Sequence, residues 1–320
     1  MVFPDCLDHR VIEAAAWLKS EGLAEPVLIQ SPFLVLDKAR QVDAPLPSIT
    51  VIDPTSTNFL KKNMEEYASI MRARGESIAA EKCRATMRNP LAAAAMMVRR
   101  GDVEIGLAGN MSSTAEVLRA GLSIIPKKRG IRTISSFFLM ASPDGKDQYV
   151  FADCAVVPEP SADTLADIAI SSAGIARTLL FEEPKVALLS FSTKGSSDHP
   201  RAKMVRDAVE KIRKRVPDLV VDGELQLDAA IDREVAALKA PGSIIEGRAN
   251  VLIFPSLEAG NIAYKTAQRL AGYTAIGPFL QGFEGSWHDL SRGCSARDIF
   301  KMTLLGLCMQ RTRGISADPS

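Results

Sequence analysis

The sequence predicts an α/β protein of two domains, with parallel or mixed sheets flanked by helices. Three observations predict it. Short aliphatic runs alternate with longer amphipathic stretches along almost the whole chain, as they do where helices cover both faces of a parallel sheet. A hairpin pattern interrupts that alternation near residue 135. Finally, 320 residues, 47% of them hydrophobic, are more than one hydrophobic centre usually organises.

Taken in order, residues 11–21 carry helical periodicity, 26–30 a buried strand, and 48–52 a second strand closed by Asp53-Pro54. A helix is predicted over 59–74 and another from Asn89-Pro90, where Asn caps and Pro suits the first helical position. The run 103–108 is a strand leading into Gly109-Asn110-Met111-Ser112-Ser113. Residues 135–140, a turn at Pro143-Asp144-Gly145 and residues 149–152 make the antiparallel hairpin, which marks the domain crossing. Then come a helix over 162–180, a strand over 186–190 and a helix over 200–216. Strands over 219–221, 251–254 and 274–277 follow, with a helix over 261–271 between the last two. A final helix, 296–310, is expected to return to the first domain, because both carry residues assigned to one site.

Charge and composition exclude several classes. Lys and Arg number 39 against 38 Asp and Glu, so a formal charge of +1 provides no field to gather nucleic acid or an anionic membrane. Small molecules are the expected partners. Cys6, Cys83, Cys154, Cys294 and Cys308 are odd in number and include no Cys-x-x-Cys pair, which points to a reducing compartment rather than a disulfide framework or zinc site. The longest apolar run, 91–98, is far short of the ~20 residues that span a bilayer, and no basic-then-apolar leader is seen, so a cytoplasmic location is expected. His9, His199 and His288 stand singly, without zinc-protease, phosphate-loop or nucleophile-elbow spacing. Asp228 and Asp232, four apart on a predicted helix, suit a solvated face better than a metal pair, since no third ligand is near; no metal is assigned.

Three strand-to-helix junctions are rich in Gly and Ser: 109–114 with Ser112 and Ser113, 190–197 with Ser192, and 256–261 with Asn261. Each is either a turn or a place where free helix N–H groups meet a phosphate. The segment 288–298 is sharper, because it sets Ser291, Arg292 and Asp298 close to one helix start. Ser295-x-x-Asp298 also fits a capping box, which pattern alone favours.

These and other segments resemble the phosphate acetyl/butyryl-transferases, specifically the acetyltransferase branch. The resemblance rests on Val221-Asp222-Gly223-Glu224-Leu225-Gln226, Lys239-Ala240-Pro241-Gly242-Ser243, Gly260-Asn261-Ile262-Ala263-Tyr264-Lys265 and Asp289-Leu290-Ser291-Arg292-Gly293-Cys294-Ser295, in that order along the chain. The loop Gly109-Asn110-Met111-Ser112-Ser113 is most similar to the short form associated with ethanolamine utilisation. The likeness implies a fold similar to isocitrate and isopropylmalate dehydrogenases, with an active-site cleft between domain one (1–130 plus 280–320) and an inserted, dimerising domain two (131–279). The chain starts at Met1-Val2-Phe3-Pro4, where family members carry a preceding helix and the start of the first strand, so a slightly less supported domain one is expected.

The resemblance also implies roles. Asp298 matches the family's proposed general base, Ser291 its transition-state hydroxyl and Arg292 a phosphate-binding arginine. Arg119 matches another arginine of the cleft, and Arg72, with Arg74 as the alternative, the one implicated in coenzyme A binding. Ser112, Ser113, Ser192, Asn261 and Lys265 complete the substrate-binding set. Cys154 and Cys294 are read as packing residues rather than acetyl carriers. The activity so implied is reversible acetyl transfer between coenzyme A and inorganic phosphate through a ternary complex. It involves acetyl phosphate, no cofactor and a homodimer in the cytoplasm, with enclosure in a microcompartment left open. The alternatives are a noncatalytic acetyl-coenzyme A sensor, a phosphate butyryltransferase, and a decarboxylating dehydrogenase of similar fold, for which neither an acidic metal cluster nor a nicotinamide pocket can be assembled.

Overall fold

The computed structural model describes residues 1–42 and 49–315, for the last five of which only the backbone is described. The chain separates into two compact units, Met1–Lys127 with Phe283 onward, and Lys128–Gly282. The first unit runs β1 (Val2–Phe3), α1 (His9–Ser20), β2 (Val27–Ile29), α2 (Pro32–Gln41), β3 (Thr50–Ile52), α3 (Thr57–Ala73), α4 (Ala80–Arg88), α5 (Pro90–Arg100), β4 (Ile105–Ala108) and α6 (Thr114–Ile124). The second holds the hairpin β5 (Ser135–Ala141) and β6 (Gln148–Ala152), then α7 (Ala162–Leu179), β7 (Lys185–Leu189), α8 (Pro200–Arg215), β8 (Val220–Leu225), α9 (Leu227–Ile231), α10 (Arg233–Lys239), β9 (Val251–Ile253), α11 (Leu257–Leu270) and β10 (Thr274–Gln281). The chain then re-enters the first unit as β11 (Ser286–Asp289) and α12 (Ala296–Ile315).

In the first unit five strands lie in the order β11-β4-β1-β2-β3, every neighbouring pair parallel. Such a sheet is covered on both faces, and its strands are correspondingly apolar. Helix α5 is buried from Leu91 to Val98, with Asn89 accepting the Leu91 N–H at its start and left-handed Gly101 at its end. Trp287 on β11 is fully buried and donates its indole N–H to Val117 O at 2.9 Å. Its ring lies where a Cβ on Gly106 would sit 2.5 Å away, which lets β4 pass directly beneath the indole.

The second unit has six strands ordered β10-β5-β6-β9-β7-β8, antiparallel across β10-β5-β6 and parallel beyond. Stacked Phe137 and Phe279, centroids 5.1 Å apart, join β5 to β10. One local expectation is corrected. Asp228 and Asp232 do not share a helix face, because α9 ends at Ile231 and Asp232 caps α10, accepting the N–H groups of Glu234 and Val235; Asp228 pairs with Lys239 at 2.6 Å.

β1, β11, α2, α4 and α10 are additions to the sequence reading. A two-residue strand has no period to detect. Ser286-Trp287-His288-Asp289 carries polar groups that find partners in the fold: Trp287 reaches Val117 O, Ser286 bonds His288 at 2.9 Å and Asp289 accepts the Thr114 hydroxyl. Ser48, the first residue of the strand expected over 48–52, lies outside the described residues. No helix among the described residues is long and apolar enough to cross a membrane.

Candidate active site

The parallel order β11-β4-β1 places three strand ends side by side in the first unit, so the segments 4–8, 109–113 and 290–295 are neighbours. From β1 the chain turns one way to β2 and β3, and later returns on the other side of β1 as β4. Such a reversal of strand order leaves a crevice at the carboxyl ends, where open α/β sheets bind ligands.

The β4–α6 segment is a cradle of N–H groups, and the chain fills it from within. Asp5 Oδ2 accepts the N–H groups of Gly109 (2.9 Å), Met111 (3.3 Å) and Ser112 (3.0 Å), and Oδ1 accepts the Ser112 hydroxyl (2.7 Å). Gly109, at φ +114°, is required here, since a Cβ would lie 2.2 Å from Asp289 Oδ1. Ser113 caps α6 in a full capping box with Glu116, whose carboxyl is held below its ordinary range by the Ser113 N–H and hydroxyl. The hydroxyls of Ser112 and Ser113, expected to meet substrate, are therefore engaged with Asp5 and Glu116 in this structure.

The segment after β11 is held by a residue that sequence reasoning did not single out. Arg10 donates to the carbonyls of Arg292 (2.8 Å), Cys294 (2.5 Å) and Asn110 (3.2 Å), while Asp8 grips the same guanidinium at 2.5–3.1 Å. Burial alone would raise the Asp8 carboxyl, but the Arg10 side chain and N–H and the Asn110 amide outweigh it and hold the group below its usual value. One guanidinium thus ties two loops together through three backbone carbonyls and a third through the Asp8 carboxylate, a task that its planar fork of donors suits. The only sequence signal is an Asp two residues before an Arg at a helix start, which capping explains equally well.

With the backbone staked down, the side chains of Ser291 and Arg292 are exposed. Ser291 Oγ accepts the Gly293 N–H at 3.2 Å, which leaves its own hydrogen to donate elsewhere. The Arg292 guanidinium has no ion-pair partner among the described residues. Asp298 shows that capping and a free carboxylate oxygen coexist. Its Oδ2 accepts the Ser295 N–H (2.9 Å) and hydroxyl (2.8 Å), whereas Oδ1 faces no donor among the described residues. Beneath them Cys294 is buried, and burial pushes its thiol up to about 11 despite Arg10 nearby, so it is protonated at neutral pH.

Two further arginines lie on helices of the same unit. Arg119 is exposed on α6, one turn beyond Glu116, and Arg72 is exposed in the last turn of α3. Arg74 differs: it donates to Leu122 O at 3.2 Å and so is tied to α6. Arg74 is thus engaged in this structure, and Arg72 is exposed.

In the second unit Ser192 and Asn261 sit inside internal networks, while Lys265 is exposed. Ser192 is fully buried and donates to Glu224 Oε1 at 2.8 Å, which also accepts the Gly195 N–H (2.9 Å) and Arg206 (3.0 Å). Desolvation opposes ionisation of Glu224, yet the Gly195 N–H, the Ser192 hydroxyl and Arg206 together hold it below its ordinary value. Asn261 donates to Cys154 O at 3.0 Å, and exposed Lys265 stands 5.8 Å from the Tyr264 ring centroid. Cys154 is buried in an apolar cluster, with its thiol pushed well up by desolvation.

A family profile described as Phosphate acetyl/butaryl transferase matches residues 1–307. The chain belongs to this family. It is 44% identical to a phosphate acetyltransferase of Clostridium acetobutylicum, over 96% of this chain and 93% of that protein. To the phosphate acetyltransferase of Bacillus subtilis it is 40% identical, covering 95% and 93% respectively. Among solved structures, a phosphotransacetylase from Streptococcus pyogenes superposes with TM-score 0.91 at 39% identity, covering 98% of this chain and 94% of that one. The EutD phosphotransacetylase from Staphylococcus aureus gives 0.88 at 35%, covering 97% and 93%. A 4-hydroxythreonine-4-phosphate dehydrogenase of Salmonella typhimurium, at 13% identity and TM-score 0.54, shares the fold alone.

For this member of the family, the first unit gathers Ser291, Arg292 and Asp298 on one loop and helix start, close to the capped start of α6. The residues that sequence reasoning missed are those underneath: Asp5, Asp8, Arg10 and Thr114, none of which stands out until the strand order is known.

Proposed function

We infer that the chain is a phosphate acetyltransferase, moving an acetyl group reversibly between coenzyme A and inorganic phosphate. Family membership over nearly the whole chain and the activity named for its relatives support the reading. The observation that carries it is the Arg10-staked loop, which leaves an available hydroxyl on Ser291, an unpaired guanidinium on Arg292 and an open oxygen on Asp298 within one short segment.

We assign these groups as follows. Toward acetyl-coenzyme A, a thiol with a pKa near ~8.5 must lose its proton before attacking the carbonyl of acetyl phosphate. Asp298 Oδ1 takes that proton, while Oδ2 stays bonded to Ser295 and fixes the side chain's direction. Ser291 donates to the oxyanion that develops on the carbonyl, and such a preplaced donor is typically worth about 3 kcal/mol in a closed site. Arg292 and Arg119 hold phosphoryl oxygens through paired N–H donors, which lysine cannot offer. Arg72 meets coenzyme A. In reverse, phosphate attacks the thioester and protonated Asp298 returns the proton to the departing sulfur. Cys294, a protonated and buried thiol, takes no part.

The reaction so written requires no metal or nucleotide cofactor, and we assign a cytoplasmic homodimer. The test is phosphate-dependent release of free thiol from acetyl-coenzyme A, with and without excess chelator, repeated with butyryl-coenzyme A. Turnover that needs phosphate, survives chelation and prefers the acetyl thioester is expected; binding of acetyl-coenzyme A without any phosphate-dependent turnover would overturn the reading.

A further inference from the structure

Asp289, the last residue of β11, is 2% exposed. Its Oδ2 accepts the hydroxyl of Thr114, the first residue of α6, at 2.6 Å. Its Oδ1 is buried without a hydrogen-bond partner and faces the Cα of Gly109. Immediately afterwards the chain bonds to the neighbouring strand end, Leu290 N–H to Ala108 O at 2.6 Å, and then presents Ser291 and Arg292. The helix that Thr114 begins carries Arg119 one and a half turns later.

A carboxyl group in this position is an odd choice for stability alone. Burial pushes its pKa up to about 6, with nearby Asp5 adding to the rise, and only the Thr114 hydroxyl and the Leu290 N–H oppose it. An orphaned buried oxygen is costly, and such costs persist where a geometry must be held for another purpose. We propose that Asp289 is a positioning residue whose bond to Thr114 clamps the segment bearing Ser291 and Arg292 to the helix bearing Arg119, so that two guanidinium groups meet one phosphoryl group at a fixed separation. The clamp acts through backbone and helix placement; Asp289 itself does not touch substrate. It rests on the assignment of Ser291 and Arg292 to the reaction made above.

The experiment compares Thr114→Val, Thr114→Ser, Asp289→Ala and the Thr114→Val/Asp289→Ala double variant, with Arg292→Ala as control. It measures kcat, the KM for phosphate, the KM for acetyl-coenzyme A and the thermal unfolding midpoint. Thr114→Val is expected to lower kcat/KM for phosphate by roughly 10- to 100-fold, the scale of a misplacement of about 1 Å, with the KM for acetyl-coenzyme A within about twofold. Thr114→Ser, which keeps the hydroxyl, is expected within about threefold of the parent, and the double variant to lose no more than the worse single one, as for partners in one bond. Equal losses in Val and Ser, additive losses in the double variant, or unfolding of both Thr114→Val and Asp289→Ala would each overturn the clamp. If Arg292→Ala loses turnover while Thr114→Val keeps it, the clamp alone is wrong. Full turnover in Arg292→Ala removes the catalytic assignment and the clamp together.

Discussion

Two loops with nearly the same composition, one in each unit, take opposite parts. The β4–α6 loop and the β7–α8 loop both read as phosphate cradles, and both are filled by a carboxylate of the chain itself, Asp5 in the first and Glu224 in the second. They differ in what surrounds the filling. Glu224 is fully buried and answered at Oε1 by Arg206, with Asp222 behind it bound to Lys194 at 2.5 Å and Arg213 at 3.1 Å, while Glu224 Oε2 is buried with no hydrogen-bond partner among the described residues. Asp5 is only half-buried, and beside its loop the Arg10-held segment exposes Ser291 and Asp298, which bond only within the segment, and Arg292, which has no ion-pair partner among the described residues. The comparison teaches that a Gly- and Ser-rich junction marks where an anion is satisfied without saying whose anion it is. In the first unit the exposed side chains lie next to the cradle, whose own amides are already taken by Asp5.

The largest effect that would break this contrast is on chemistry. Asp298→Asn keeps an oxygen able to cap Ser295 but cannot take a proton, so turnover is expected to fall by about 10²- to 10⁴-fold, with the KM for coenzyme A within a few-fold. Steady-state kinetics with acetyl phosphate and coenzyme A decide it, and a loss confined to KM would move the base elsewhere. Next comes the Glu224 network. Glu224→Ala leaves Arg206 and the Gly195 N–H without their partner and is expected to cost about 3–5 kcal/mol of unfolding free energy, as breaking a buried ion pair does. Asp5→Ala, more exposed, is expected to cost about 1–3 kcal/mol, and inorganic phosphate should restore part of that loss by entering the vacated cradle. Urea titrations with and without phosphate compare the two, and equal costs with no phosphate rescue would erase the distinction.

A smaller effect concerns pH. Because the folded pKa of Asp289, about 6, lies above its ordinary 3.8, the folded state holds the proton more tightly than the unfolded chain. Its contribution to stability is therefore fully present below the unfolded value and is lost as pH rises through about 6. Asp289→Asn, whose amide oxygen can still accept the Thr114 hydroxyl, should gain on the parent by up to about 3 kcal/mol between about pH 4 and about pH 7. Thermal unfolding across that range checks it, and a parallel pH profile in both proteins would refute the burial argument. The smallest effect is expected at Cys294. With its thiol protonated at neutral pH, Cys294→Ala should retain turnover within about threefold, and a near-complete loss would reinstate a covalent carrier.

Much of the fold was legible because period and capping are local. The Asn89-Pro90 helix start, the hairpin around Pro143-Asp144-Gly145 and the Ser295-x-x-Asp298 box all form as the sequence reads. Asp298 caps through Oδ2 alone and leaves Oδ1 without a donor among the described residues, which only atomic geometry could reveal. Arg10 stayed hidden for a different reason: its partners are carbonyls of Arg292, Cys294 and Asn110, and a backbone carbonyl carries no signature of residue type.

By itself the sequence determined the α/β class, the positions of most helices and strands, and the family, because periodicity, caps and contiguous motifs are written in neighbouring residues. Tertiary structure decided which carboxylate fills which loop and that Asp8, Arg10, Thr114 and Asp289 brace one segment. Those contacts join residues up to 284 positions apart, and strand order, set by burial of the sheet rather than by any local pattern, brings them within bonding distance.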